Sequence, residues 1–118
     1  MTLRIKRAYE AASASDGCRV LVDRLWPRGV SKERAELDEW LKEVSPSPSL
    51  RTWWDHDSER MDEFALRYRA ELDSVEVTQA AVAQLRALAA SSDVTTLVYG
   101  AKDPHVNHAR VLAEYLAE

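Results

Sequence analysis

Two short segments of the chain combine charged side chains with residues that fix a loop. They are Asp23-Arg24-Leu25-Trp26-Pro27-Arg28-Gly29 and Gly100-Ala101-Lys102-Asp103-Pro104-His105. An arginine can grip a carboxylate or a phosphate through two parallel N–H bonds, so Arg24 and Arg28 are candidate ligand-binding residues. Lys102 lies two residues after Gly100 and directly before an expected helix start. Negative charge is favoured at the start of a helix. The sequence thus predicts a site for an anionic small molecule.

Asp23 ends an apolar run and is expected to be partly buried. A carboxylate in that position needs a cationic partner or titrates at a raised pKa. The candidate partners are Arg24, Arg28 and Lys102. A purely structural role for the two arginines, as salt-bridge partners of Asp23, Asp38 or Glu39, remains the alternative.

The segment after Gly100 supplies the other candidate side chains. Asp103 followed by Pro104 is typical of a helix start, with the acid as N-cap, and this structural role is favoured over ligand binding. On that helix His105 leans toward the buried stripe, His108 lies on its flank, and Asn107 points to the pocket rim or to solvent. Asp23 and His108 are the candidate catalytic acid/base pair.

A metal site is not expected, because a third ligand would have to come from His56 with Asp55 or Asp57 and no compact ligand spacing is present. Trp26, which stands between two arginines, is a candidate for stacking on a ligand, whereas Trp40 is expected to pack in the core. The chain has no GxGxxG, P-loop, GxSxG or CxxC motif. The sequence indicates no particular cofactor.

Hydrophobic periodicity predicts the elements that would position these residues. Strands are expected around Leu3 and Ile5, over Val20 to Val22, and over Val94 to Tyr99. Helices are expected after Ser31 through Leu37, Trp40 and Leu41, around Leu50 to Trp54, from Glu59 to Leu72, from Val77 to Ala89, and from Asp103 to Leu116. Residues 10–17 are expected to form a loop.

Helices between the second and third predicted strands favour a parallel pairing, because parallel strands need long crossovers. The sequence therefore predicts one α/β domain over residues 1–118, a small and mainly parallel sheet with helices on its faces. Ligands in such sheets bind at the carboxyl ends of the strands. The segments that begin at Asp23 and at Gly100 both follow predicted strands, so we expect them to converge there.

Composition narrows the class of protein. The chain of 118 residues is 46% hydrophobic and 31% charged, with three glycines and four prolines, which is typical of a globular domain. No apolar run reaches the roughly 20 residues of a membrane helix, and no secretory signal is visible. With one cysteine, Cys18, which is read as a structural thiol, a cytoplasmic location is expected.

Charge is distributed unevenly. Residues 1–34 hold eight Lys and Arg against four Asp and Glu, although the whole chain carries −4. A local basic segment on an acidic chain favours a discrete anionic ligand over nucleic acid, which usually binds a broad positive face. Nucleic acid remains an alternative partner.

Several motifs resemble the YeaO-like branch of the bacterial domain of unknown function 488. They are Asp16-Gly17, the run from Arg19 to Gly29, Leu50-Arg-Thr-Trp-Trp-Asp-His-Asp57, Leu97-Val-Tyr-Gly-Ala-Lys-Asp103 and Asn107-His108-Ala109. The resemblance covers nearly the whole chain and implies a compact α/β fold. It implies no settled activity.

The wider superfamily has a Cys and a Glu near the end of the last strand and a Cys-His-Arg triplet in the next helix. The matching positions here are Tyr99, Ala101 and Asn107-His108-Ala109, so this chain retains only the histidine. The loss of both cysteines argues against thiol chemistry. Where this branch usually has tryptophan the chain has Met61, which is read as repacking.

Three functions follow as hypotheses. The leading one is a domain that binds a phosphate-bearing or nucleotide-like small molecule. The second is an enzyme that acts on a nucleotide or nucleic acid through Asp23 and His108, and the third is a regulatory or protein-interaction module. The sequence leaves open the ligand, the oligomeric state and whether the protein is an enzyme.

Overall fold

The computed structural model describes residues 2–118 and contains one parallel sheet of four strands. They are β1 (Thr2–Arg7), β2 (Cys18–Leu21), β3 (Glu39–Trp40) and β4 (Val94–Tyr99), in the order β1-β4-β2-β3. Each neighbouring pair in this sheet is parallel. The predicted α/β fold with a small parallel sheet is therefore confirmed.

Five α-helices complete the described part of the chain. They are α1 (Lys32–Ala35), α2 (Pro48–Trp54), α3 (Met61–Ser74), α4 (Glu76–Ala90) and α5 (His108–Ala117). Helix α2 begins as its sequence dictates, because Pro48 occupies the first turn and the Ser47 hydroxyl accepts a hydrogen bond from the Leu50 N–H at 3.2 Å. None of these helices is long and apolar enough to cross a membrane.

Alternation along the strands divides the apolar side chains between two faces of the sheet. Val20, Leu97 and Tyr99 belong to the larger cluster, which also contains the buried residues of helices α2 to α5. Leu21 and Val98 point the other way into a smaller cluster, against which Trp26, Leu37 and Trp40 pack. The continuous apolar run of β2 is explained by its burial on both faces.

The predicted helix through Leu37, Trp40 and Leu41 is wrong. Ser31 caps a helix, but α1 ends after one turn at Glu36, whose φ of 45° is left-handed. The chain then enters β3, where Glu39 and Trp40 pair with Val20 and Leu21. Spacing of the apolar residues alone does not distinguish these outcomes, and the pairing with β2 decided between them.

Candidate functional site

The segments that begin at Asp23 and at Gly100 meet at the carboxyl edge of the sheet. The Asp23 Oδ2 atom accepts a hydrogen bond from the Gly100 N–H at 2.8 Å. A Cβ atom at residue 100 would lie 3.0 Å from the same oxygen, so glycine allows this close approach. The indole N–H of Trp40 donates to the Asp23 carbonyl at 2.7 Å, which fixes the backbone from the other side.

A cavity of about 260 Å³ opens beside this junction, and we call it the edge cavity. Its lining comes from the loops that follow β1, β2 and β4 and from the segment around α2. The lining residues are Tyr9, Asp23, Arg24, Leu25, Trp26, Pro27, Ser45, Pro46, Arg51, Trp54, His56, Gly100, Ala101 and His108. The predicted location at the carboxyl edge therefore coincides with a cavity.

Arg24 is held loosely at the wall of the edge cavity. Its Nη2 atom lies 3.4 Å from the carbonyl oxygens of both Ser45 and Pro46, and its Nη1 atom lies 3.5 Å from Glu43 Oε2. Its buried Nε atom has no hydrogen-bond partner within residues 2–118. N–H···O bonds usually measure about 2.9 Å, so these contacts are long and leave the guanidinium with unused donors.

Arg51 and His56 face the edge cavity from helix α2 and the turn that follows it. The exposed Arg51 guanidinium makes no ion pair or hydrogen bond with any residue in the range 2–118. The His56 ring packs on Trp54, with ring centroids 4.7 Å apart. Asp55 and His56 are both left-handed, with φ of 49° and 53°, which turns the chain back toward the cavity.

Sequence reasoning missed Arg51 as a site residue and considered His56 only as a metal ligand. Both residues lie inside the Leu50–Asp57 motif, so the motif was the one available signal for them.

His108 lies at the floor of the edge cavity beside Asp23. Its Nε2 atom is 2.9 Å from the carbonyl oxygen of Val22 and 3.4 Å from Asp23 Oδ1. Because a carbonyl can only accept, Nε2 carries a proton, which leaves this nitrogen unable to act as a base. Burial lowers the pKa of His108 below its usual value, and the Asp23 charge and the Val22 hydrogen bond oppose that shift.

Asp23 does not pair with the basic residues that the sequence suggested. Its nearest groups are the Gly100 amide and the His108 ring rather than Arg24, Arg28 or Lys102. Arg24 pairs instead with Glu43, and neither Asp38 nor Glu39 is its partner. The alternative interpretation, in which the two arginines form salt bridges with Asp23, Asp38 or Glu39, is therefore wrong for the described residues.

Aromatic rings form the apolar wall of the edge cavity. Trp26 meets Trp40 edge to face, with centroids 5.4 Å apart, and its indole N–H donates to the Val30 carbonyl at 2.7 Å. Trp54 stacks on Phe64 at 3.8 Å. Each indole is thus held by ring packing or by a hydrogen bond, and the wall is formed by protein contacts alone.

Five of the residues that the sequence suggested for ligand binding do not line the edge cavity. They are Arg28, Lys102, Asp103, His105 and Asn107. Arg28, Lys102 and His105 are exposed. The structure thus brings Asp23, Arg24, Trp26 and His108 together and leaves the two predicted cations Arg28 and Lys102 outside the lining.

The predicted start of the last helix at Asp103 is also wrong. Asp103 Oδ1 accepts hydrogen bonds from the backbone of His105 and Val106, at 2.8 and 3.2 Å, but it does so in a turn before the helix. These two bonds lower the pKa of Asp103. Helix α5 begins at His108, and its N-cap is Asn107.

The shift in helix start reverses the predicted orientations. Asn107 is fully buried: its Oδ1 atom accepts from the Arg110 N–H at 2.9 Å and its amide donates to the Asp103 carbonyl at 3.0 Å. His108 is buried and His105 is exposed, the opposite of the helical-angle expectation. An Asx turn and a helix N-cap have the same local sequence signature, so the sequence around Asp103 does not distinguish them. In the structure Asp103 forms the turn, and the buried Asn107 is the N-cap of α5.

No group of three or more His, Cys, Asp and Glu side chains that could hold a metal ion is present within residues 2–118. The groups of the edge cavity are instead two arginines, two histidines, one aspartate and aromatic rings, which suit an organic anion.

The fold and the sequence motifs define the class of this protein. Residues 2–118 match the family described as the inactive DUF488-N3 subclade, and the chain belongs to that family. The predicted resemblance to the domain of unknown function 488 is therefore confirmed.

Particular relatives cover the same length. The chain is 45% identical over 114 residues to the uncharacterized proteins Rv3073c of Mycobacterium tuberculosis and Mb3100c of Mycobacterium bovis, covering 97% of this chain and 92% of each relative. It is 42% identical over 116 residues to the uncharacterized protein YeaO of Escherichia coli, covering 98% of this chain and 97% of YeaO. No solved structure matches the chain.

Proposed function

We propose that this domain binds a small organic anion in the edge cavity, with Arg24 and Arg51 as the cationic groups. The observation that carries the proposal is the state of these two guanidinium groups. Arg51 has no partner within residues 2–118, and Arg24 has only contacts of 3.4 Å or more. A phosphate or carboxylate would supply the acceptors that both groups lack.

The rest of the lining suits a ligand with an apolar or aromatic part. Trp26 and Trp54 line the edge cavity together with Leu25 and Pro27. A pocket with an apolar wall and a few convergent polar groups is typical of small-molecule sites. A phosphate-bearing molecule with a ring, such as a nucleotide, matches both features.

Calorimetric titration of the full chain with adenosine 5′-monophosphate and with inorganic phosphate tests this proposal. We expect Arg51→Ala to weaken binding of the nucleotide about ten-fold or more, the loss of one or two charge-assisted hydrogen bonds. Arg28→Ala is the matched control, because Arg28 is an exposed arginine outside the lining. The proposal is contradicted if neither anion binds, or if Arg51→Ala and Arg28→Ala weaken nucleotide binding equally.

An acid/base enzyme is the second candidate, and the 3.4 Å between Asp23 Oδ1 and His108 Nε2 favours it. Two observations weigh against it. The Nε2 proton is already donated to the Val22 carbonyl, and the family carries the description inactive. Hydrolysis of nucleotides by the wild type that is lost in His108→Gln would revive this candidate.

A further inference from the structure

A second cavity adjoins the edge cavity, and we call it the outer cavity. It has a volume of about 500 Å³ and is lined by Pro48, Arg51, Thr52, Asp55 and His56. Arg51 and His56 line both cavities. The two side chains therefore form a boundary that is open to a ligand from either side.

The chemistry of the two cavities differs. The edge cavity presents Trp26 and Trp54, whereas the outer cavity presents the hydroxyl of Thr52 and the carboxylate of Asp55. An anion in the outer cavity would be repelled by Asp55, but a hydroxyl or amino group could donate to it. The edge cavity holds a carboxylate of its own, Asp23, but it also holds Arg24, and Arg51 lines both cavities. The most favourable place for negative charge is consequently the boundary at Arg51, on the side that Arg24 lines.

We propose, on the basis of the function proposed above, that the ligand is a phosphodiester that spans both cavities. Its phosphate lies at the boundary formed by Arg51 and His56, on the side of the edge cavity that Arg24 also lines. One arm places a ring against the tryptophans of the edge cavity, and the other arm places hydroxyl or amino donors beside Thr52 and Asp55. A diester fits this arrangement because its charge lies in the middle of the molecule. A monoester carries its charge at one end and leaves the outer cavity to water.

Calorimetry with a matched pair of probes tests the proposal on the full chain. Adenylyl-3′,5′-adenosine is a diester, and adenosine 5′-monophosphate is the corresponding monoester. We expect the diester to bind about ten-fold more tightly, the gain from one or two added hydrogen bonds. Thr52→Trp, which fills the outer cavity, should bring the ratio of the two affinities close to one. Thr52→Ala removes only the hydroxyl and leaves the cavity and Asp55 in place, so it should lower the ratio by less than Thr52→Trp does.

The outcomes separate the two proposals. If both probes bind and Arg51→Ala weakens the binding of both, the anion site stands. The spanning ligand is nevertheless overturned if the diester binds no more tightly than the monoester, or if Thr52→Trp leaves the diester's advantage intact. If neither probe binds, or if Arg51→Ala changes nothing, both proposals fail. Circular dichroism and thermal melting of Thr52→Trp establish that a lost preference does not come from unfolding.

Discussion

Strand β2 has an aspartate before it and another after it, each near an arginine, and the two regions differ in how those charges are satisfied. Asp16 is fully buried, and its carboxylate contacts Arg19 Nη1 at 2.7 Å, Lys6 Nζ at 3.1 Å and the Ser13 N–H at 2.9 Å. The Nε atom of Arg19 donates to the Ala35 carbonyl at 3.0 Å. Only Nη2 of this arginine lacks a partner within residues 2–118.

The region around Asp23 uses the same residue types with the opposite result. One oxygen of Asp23 accepts from Gly100, while the other has only His108 Nε2 at 3.4 Å, and that nitrogen donates to Val22. The neighbouring Arg24 makes only long contacts, and Arg51 makes none with the described residues.

An arginine beside an aspartate is therefore not evidence for a site by itself. Around Asp16 the carboxylate contacts both Lys6 and Arg19 at short distances, so its hydrogen-bonding capacity is used within the fold. Around the edge cavity the guanidinium donors of Arg24 make only long contacts or none. Unused hydrogen-bonding capacity in a preformed cavity therefore distinguishes the two regions.

The largest expected effect is on stability. Asp16→Asn should lower the free energy of unfolding by about 3 kcal/mol, because it leaves Lys6 and Arg19 charged and partly unpaired in a buried region. Asp23→Asn is the matched control and should cost about 1 kcal/mol or less, since an amide oxygen can still accept from Gly100. Urea denaturation at pH 7 measures both, and equal losses would remove the distinction between the two regions.

A smaller effect is expected from acid. Burial raises the pKa of Asp16, but the Ser13 hydrogen bond and the ion pairs with Lys6 and Arg19 outweigh it, and the pKa falls from 3.8 to about 2. The folded state then binds fewer protons than the unfolded state, so this contribution is complete above about pH 4 and is lost as the pH falls to about 2. The loss amounts to about 2 kcal/mol.

Chemical denaturation between pH 5 and pH 2 checks the acid effect, because this interval contains both the ordinary and the lowered pKa of Asp16. Asp16→Asn should have a flatter pH profile than the wild type over that interval. A variant whose profile keeps the full slope would show that other carboxylates cause the acid sensitivity.

Much of the fold was predictable because its signals are local. The β-branched run from Val94 to Tyr99 and the spacing of Phe64, Tyr68 and Leu72 each specify one element. The helix through Trp40 failed because its outcome depends on a pairing with β2, which no local pattern records. Likewise, the turn at Asp103 became recognisable only when Asn107 proved to be buried.

The site was predictable in location but only partly in composition. Strand ends in a parallel sheet must share one edge, so Asp23 and Gly100 were expected to meet there. The orientation of Arg28 and Lys102 depends on side-chain geometry, which the sequence does not give. Arg51 enters the cavity because of where helix α2 packs, and that packing is a tertiary property.

Each of the two regions contains a residue held in the left-handed conformation, and we expect a small change in stability when it is replaced by glycine. Glu36 ends α1 near Arg19 with φ of 45°, and Asp55 ends α2 beside the outer cavity with φ of 49°. Glycine adopts this conformation without steric cost and is the residue preferred at such helix ends. Glu36→Gly and Asp55→Gly should therefore each raise the free energy of unfolding by about 1 kcal/mol.

The two substitutions should differ in their effect on binding. Asp55→Gly removes the carboxylate that we propose as the acceptor for ligand donors in the outer cavity, so it should reduce the preference for the diester over the monoester. Glu36→Gly should leave that preference unchanged. Thermal melting and calorimetry on the same preparations measure the two effects. A gain in stability in both variants with a loss of preference in Asp55→Gly alone means that strain near the cavity is retained for binding. If both variants lose the preference, or neither does, the left-handed turn at Asp55 is no more than a helix end.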